Sequence, residues 1–310
     1  MTKHVLVSCI HLQRKLDSFR PEFDERGFTV ESPEVAQQLE EDWLLANIGR
    51  FHGVIAGDDP FTAEVLAEGA RGNLHTIIKW GIGVDGIDLE AADHLGIQVT
   101  NTPGMFSDEV ADVAMGYVVM LARQLHRIHL SVREGGWFKP VGSSLRGKTL
   151  GVVGLGSIGR ALADRARAFG MVVIGTDVAP VGIAGTWLRQ VPLDHLLAAS
   201  DYVVLCCNLT PDNRYLLRAD TLALMKEGAY VVNVARGPLI EEESLINALA
   251  SGRLAGVALD VFETEPLPSS SQLRRFEQCV WGSHNGSNTS EAVARVNRIA
   301  VDELFRRLSP

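Results

Sequence analysis

The chain has 310 residues, 46% hydrophobic and 22% charged, with 29 Lys plus Arg against 38 Asp plus Glu and a formal net charge of −9. At roughly 150 residues per domain this length predicts two domains, each with enough apolar material for a core. The acidic balance, with no Lys/Arg-rich run, argues against nucleic-acid and anionic-membrane partners.

From the N-terminus, β-rich runs alternate with helical patterns, the mark of parallel sheets with crossover helices. Strands are predicted at His4–Ser8, Phe28–Val30, Gly53–Ala56, Thr76–Lys79 and Gln98–Asn101. Helices are predicted over Glu34–Ile48, with Leu39, Trp43 and Leu44 on one face, and over Thr62–Glu68 and Leu89–His94, which stop at Gly69 and Gly96. Ser107–Arg133 reads as one long helix, capped by Ser107, with Asp108 and Glu109 at the positive end of its dipole. Its middle, Val113–Met120, is apolar on nearly every face, which calls for burial on all sides. Packing against its own domain and a second subunit would supply that, so a homodimer through this domain is expected.

A second series follows, with strands predicted at Thr149–Val153, Val172–Thr176, Tyr202–Cys206, Tyr230–Val234, Gly256–Leu259 and Val280–Trp281. Ser290–Leu308 reads as a helix with Val293, Val296, Ile299, Ala300 and Leu304 at helical spacing, expected to return to the first domain. The fold class is therefore α/β, with two Rossmann-like or flavodoxin-like domains on parallel sheets: residues 1–101 plus 288–310, a discontinuous substrate domain, and residues 102–287. The opening residues Met1–Ser8 hold too short an apolar run for a secretory signal, and the longest weakly charged stretch, Val113–Ala122, is about half a membrane span. Cys9, Cys206, Cys207 and Cys279 show no C-x-x-C spacing, so neither a disulfide framework nor a zinc site is expected, and a cytoplasmic location fits.

Gly154-x-Gly156-x-x-Gly159 lies between a predicted strand and a predicted helix. Gly154 suits the tight turn, Gly156 lets the backbone approach a pyrophosphate, and Gly159 lets the helix pack on the strand. Asp177 follows 23 residues after Gly154, at the end of the next strand. A carboxylate there accepts from both ribose hydroxyls and repels a 2′-phosphate, so the cofactor expected is NAD rather than NADP; its plainer role is to close a strand-end turn. Three further strands end in polar groups: Arg236 after Tyr230–Val234, Asp260 with Glu263 and Glu265 after Gly256–Leu259, and His284 after Val280–Trp281. Open α/β sheets bind ligands at this edge, so a guanidinium, a carboxylate and an imidazole could meet beside a nicotinamide. Plainer roles exist for each: a strand-end salt bridge for Arg236, a loop carboxylate for Glu265, with Glu263 an alternative partner, and a core or surface position for His284. No other histidine has a supporting context, and no metal is called for.

Lys79–Asp88, Val99–Gly104, the glycine fingerprint, Asn233–Gly237, Ala258–Phe262 and His284-Asn-Gly286 resemble the D-isomer-specific 2-hydroxyacid dehydrogenase family, which includes phosphoglycerate dehydrogenases and glyoxylate/hydroxypyruvate reductases. The resemblance implies that Arg236 grips the carboxylate and carbonyl of a 2-oxo acid, that His284 is the general acid/base, and that Glu265 orients His284 and favours its protonated form. It further implies substrate contacts at Lys79, Gly81, Ile82 and Gly83, and cofactor contacts at Ser157, Ile158, Cys207, Asn208, Val234, Ala235, Asp260 and Gly286, with Asp260 meeting the nicotinamide carboxamide. Family members acting on phosphorylated acids usually carry an arginine just before the Gly-x-Gly loop and another after the third strand. Here Lys79 stands at the first place, and the second region holds Asp58 and Asp59, for which capping of the helix near Thr62 is the simpler role. The function implied is NAD-dependent interconversion of a small 2-hydroxy acid and its 2-oxo acid, of phosphoglycerate dehydrogenase or hydroxypyruvate/glyoxylate reductase type. An NAD(H)-sensing corepressor-like binding protein of the same fold is the alternative.

Overall fold

The structure, a computed structural model, describes residues 2–182 and 187–308. The chain divides into two compact units, Met1–Met105 with Asn288–Pro310, and Phe106–Ser287. In the first, β1 (Lys3–Val7), β2 (Phe28–Glu31), β3 (Gly53–Ala56), β4 (Thr76–Lys79) and β5 (Gln98–Thr100) form a parallel sheet in the order β2-β1-β3-β4-β5. This is the flavodoxin-like order. β3 and β4 are buried throughout, as parallel strands covered on both faces must be. A Cβ on Gly53 would stand 2.9 Å from a Leu304 methyl and 2.8 Å from one of Leu308, so the helix Ser290–Leu308 lies directly on β3. Ile299, assigned from its spacing to the packed face, is 38% exposed.

Three local readings are corrected in this unit. The helix predicted from Glu34 begins only at Glu41, because Leu39 gives its amide to the Asp59 carboxylate (2.8 Å) and the carbonyl of Pro33 is held by the Gln13 amide (2.7 Å). Asp58 and Asp59 cap no helix: Thr62 caps Ala63–Arg71 with its own hydroxyl. That helix also runs past Gly69, whose added Cβ would strike Leu74, and stops at Gly72.

The second unit carries β6 (Thr149–Val153), β7 (Val172–Thr176), β8 (Leu188–Gln190), β9 (Tyr202–Leu205), β10 (Ala229–Asn233), β11 (Leu254–Leu259) and β12 (Val280–Trp281) in the order β12-β11-β10-β9-β6-β7-β8. This is a doubly wound sheet whose strand order reverses between β6 and β9. The predicted helix Ser107–Arg133 is two helices, Ser107–Arg123 and Leu125–Arg133, parted at Gln124 (φ 52°). An uninterrupted helix would bond the Ala122 carbonyl to residue 126, but Ser143 N takes it (2.8 Å). Ser107 is the first helical residue and makes no capping bond. Nor is the first helix apolar on every side in need of cover, since Ala114, Met115, Val118 and Leu121 are buried within the unit while Gly116 is exposed. Exposed apolar surface falls downstream instead, with Leu125 43%, Val132 47%, Trp137 73% and Val141 94% exposed.

Candidate active site

The glycine loop opens between β6 and β9, at the switch point. Gly154 has φ +94°, and a Cβ there would stand 2.6 Å from the Cys207 amide nitrogen, so only glycine can make this turn. A Cβ on Gly159 would stand 2.0 Å from the Gly154 carbonyl, which brings the helix Ser157–Ala168 hard against the loop. Gly156 is exposed, with nothing within 4 Å of where its Cβ would lie, and Ser157 is exposed beside it. Open ground before a helix N-terminus of twelve residues fits a pyrophosphate. Asp177, just past β7, accepts from Leu155 N (2.7 Å) through Oδ2 and from Ala179 N (3.2 Å) through Oδ1. It closes the turn and stands at the loop with lone pairs left for a ribose diol. Cys207 is half-buried, its thiol pushed up to about 11 chiefly by burial, so it faces the loop uncharged. Asn208 is exposed, Ile158, Val234 and Ala235 are half-buried, and Asn233 Oδ1 takes the Ala235 amide (3.0 Å).

The acid, base and guanidinium come from three neighbouring strands. β10, β11 and β12 are parallel, with Asn233 opposite Leu259 and Leu259 opposite Trp281, so the segments after them leave one edge. Buried Asn233 donates to the Arg236 carbonyl (2.8 Å), shaping the turn that carries Arg236, whose guanidinium donates to the Ala235 carbonyl (2.8 Å). A Cβ on Gly237 would stand 1.9 Å from Phe262 backbone, so this turn is pressed against the loop that carries the acids. Glu265 accepts from Phe262 N (2.9 Å) through Oε1 and lies 2.7 Å from His284 Nδ1 through Oε2. Their side chains are 18% and 26% exposed. Glu263, the other acid weighed as the histidine's partner, is turned away and accepts from Glu242 N (2.7 Å) and the Tyr215 hydroxyl (3.1 Å).

Asp260 is only 2% exposed, and its carboxylate is turned to the protein: Oδ1 accepts from the Tyr117 hydroxyl (2.9 Å) and Oδ2 from Gly286 N (2.8 Å). Burial, and then the nearby Asp260 charge, hold the Tyr117 phenol above its ordinary range, so it remains a donor. Nothing in the sequence singles out Tyr117, one aromatic in an apolar helix.

In the first unit, Gly81 (φ +126°) gives its amide to the Thr102 hydroxyl (3.0 Å) and accepts from Thr102 N (2.9 Å), while Asn101 donates to the Ile82 carbonyl (2.7 Å). The Gly81 amide, at one of the expected substrate contacts, is thus taken by Thr102. Lys79, 5% exposed, donates to Asp58 Oδ1 (2.9 Å) and to the Trp80 carbonyl (3.2 Å). Sequence reasoning placed Lys79 in this loop but not its ion pair.

Comparison with known proteins decides the family. Residues 115–286 match the family model described as D-isomer specific 2-hydroxyacid dehydrogenase, NAD binding domain. The chain belongs to that family. It is 38% identical over 280 residues to the hydroxypyruvate reductase of Thermotoga maritima, a match covering 88% of this chain and 90% of that protein. It is also 38% identical over 264 residues to human D-3-phosphoglycerate dehydrogenase, covering 84% of this chain but 49% of that protein, so it spans about half that relative's length. Among solved structures it resembles the NAD complex of formate dehydrogenase from Staphylococcus aureus, with TM-score 0.88, 27% identity and coverage of 99% of this chain and 95% of that one. The enzyme is an NAD-dependent oxidoreductase acting on CH–OH donors. Among the described residues no helix is long and apolar enough to cross a membrane.

Proposed function

We propose that the enzyme reduces a small, unphosphorylated 2-oxo acid of the glyoxylate or hydroxypyruvate class to its D-2-hydroxy acid. The observation that carries this reading is the 2.7 Å contact of His284 Nδ1 with Glu265, at the sheet edge from which Arg236 also emerges. Bound NADH supplies the hydride. Arg236 binds the substrate's carboxylate and carbonyl oxygen, a planar fork on a planar anion. Nδ1 of His284 is committed to Glu265, so the proton given to the carbonyl oxygen comes from Nε2, and the Glu265 charge favours the protonated ring that reduction needs. The Ile82 and Gly83 amides are assigned to the substrate carboxylate.

The Lys79–Asp58 pair supports an unphosphorylated substrate. The ammonium is matched by a full negative charge at 2.9 Å, so this loop offers a phosphate dianion no net positive charge. Hydroxypyruvate or glyoxylate is therefore expected to be reduced with kcat/KM at least about tenfold above phosphohydroxypyruvate, the ~1.4 kcal/mol of one unmade charge contact. Following NADH oxidation with each acid reads this. Preference for the phosphorylated acid would sink the substrate assignment, and no turnover of any 2-oxo acid would sink the function. A homodimer through the second unit completes the reading, because the apolar surface around Trp137 and Val141 is of a kind usually covered by a partner. Sedimentation of the same preparation as a monomer would contradict it. Four cysteines, all free and buried or half-buried, suit a reducing cytoplasm.

A further inference from the structure

We infer that Tyr117 is a positioning residue for the reaction: through Asp260 it holds the loop that presents His284. The inference rests on the proposed role of His284 as proton donor. His284 has φ +53°, a left-handed conformation that side-chain-bearing residues avoid unless the surroundings impose it. Successive bonds impose it here. Gly282 N donates to the Leu259 carbonyl (2.7 Å), His284 N to the Asp260 carbonyl (2.7 Å) and Gly286 N to Asp260 Oδ2 (2.8 Å). Two of the three end on one residue, so Asp260 carries a large part of the loop's backbone support.

Asp260 is buried, and a buried carboxylate must have its lone pairs met or else turn or take a proton. Tyr117 meets Oδ1 from the helix Ser107–Arg123, an element outside the loop. A Cβ on Gly282 would stand 2.2 Å from Asp260 Oδ1 and 2.3 Å from the Tyr117 oxygen, so the loop backbone lies flat on this contact. The ring of Tyr117 packs with an otherwise apolar set that phenylalanine would serve as well. The oxygen is what packing does not require, and it goes to Asp260.

Three forms of the full-length enzyme test this: Tyr117→Phe, Asp260→Ala and the double substitution. Tyr117→Phe is expected to lower kcat for 2-oxo acid reduction about tenfold, the effect of one lost hydrogen bond to a charged group, with KM for NADH and for the acid changed less than about threefold. In the Asp260→Ala background, which leaves the hydroxyl no side-chain partner at 260, the same change is expected to cost nothing further. Unaltered kcat in Tyr117→Phe, or losses that multiply in the double form, would overturn the inference. Hydrogen exchange reads the loop without any substrate: the His284 and Gly286 amides are expected to exchange at least about tenfold faster in Tyr117→Phe, and unchanged protection overturns the inference equally. Faster exchange in Tyr117→Phe, together with a wild-type protein that reduces no 2-oxo acid, would leave the loop support standing and refute only the function of His284.

Discussion

His284→Ala is expected to lower kcat/KM for NADH-dependent reduction by about 10²–10⁴, the range for loss of a positioned general acid. Binding of NADH itself is expected to stay within about threefold, because the glycine loop lies at the β6 and β9 ends, away from the His284–Glu265 contact. The sign with pH follows from the direction of reaction. Reduction needs the imidazolium, so kcat/KM falls as pH rises and the ring loses its proton. Glu265→Gln replaces the charge 2.7 Å from Nδ1 with a neutral amide, so the alkaline fall is expected to move to lower pH. Measured profiles that superimpose would remove Glu265 from the mechanism. A His284→Ala form as active as wild type would remove the histidine.

Arg236→Gln is expected to cost about a hundredfold in kcat/KM for the 2-oxo acid, the ~3 kcal/mol of a charge-assisted, two-point contact. Substitution removes the guanidinium's bond to the Ala235 carbonyl but leaves the Asn233 bond to the Arg236 carbonyl and the close approach of Gly237 to Phe262, so the turn keeps these two supports. Arg236→Lys keeps the charge but not the fork, and only partial recovery is expected. Full activity in the lysine form would mean that a point charge suffices. An active glutamine form would leave Arg236 a role only in the local structure of the sheet edge. Steady-state kinetics with varied acid at saturating NADH separates these outcomes.

The strands were the legible part of the fold. Gly53–Ala56, Thr76–Lys79, Thr149–Val153 and Val172–Thr176 are continuous apolar or β-branched runs because parallel strands are covered on both faces. β8 escaped because its three residues bury only Leu188. What failed elsewhere was decided by partners distant in the chain: Asp59 takes the Leu39 amide and delays a helix, and Ser143 takes the Ala122 carbonyl and breaks one. The site divides in the same way. Glycine spacing and polar residues at strand ends are local signals, and they single out Gly154, Asp177, Arg236, Glu265 and His284. The contacts that hold those groups are not local. Tyr117 meets Asp260 from 143 residues away, and Thr102 takes the amide of Gly81 from across a strand pair. Asp58 and Asp59 show the same limit, since only the folded sheet brings one to Lys79 and the other to Ser8 (2.5 Å).

A crystal of the enzyme with NAD and oxamate, an unreactive stand-in for a 2-oxo acid, tests the central claim most directly. The expected result is a nicotinamide ring at the edge formed by β10, β11 and β12, with the oxamate carbonyl oxygen within hydrogen-bond reach of both His284 Nε2 and the Arg236 guanidinium. Arg236 and His284 directed to separate faces, with the ring remote from both, would contradict the account.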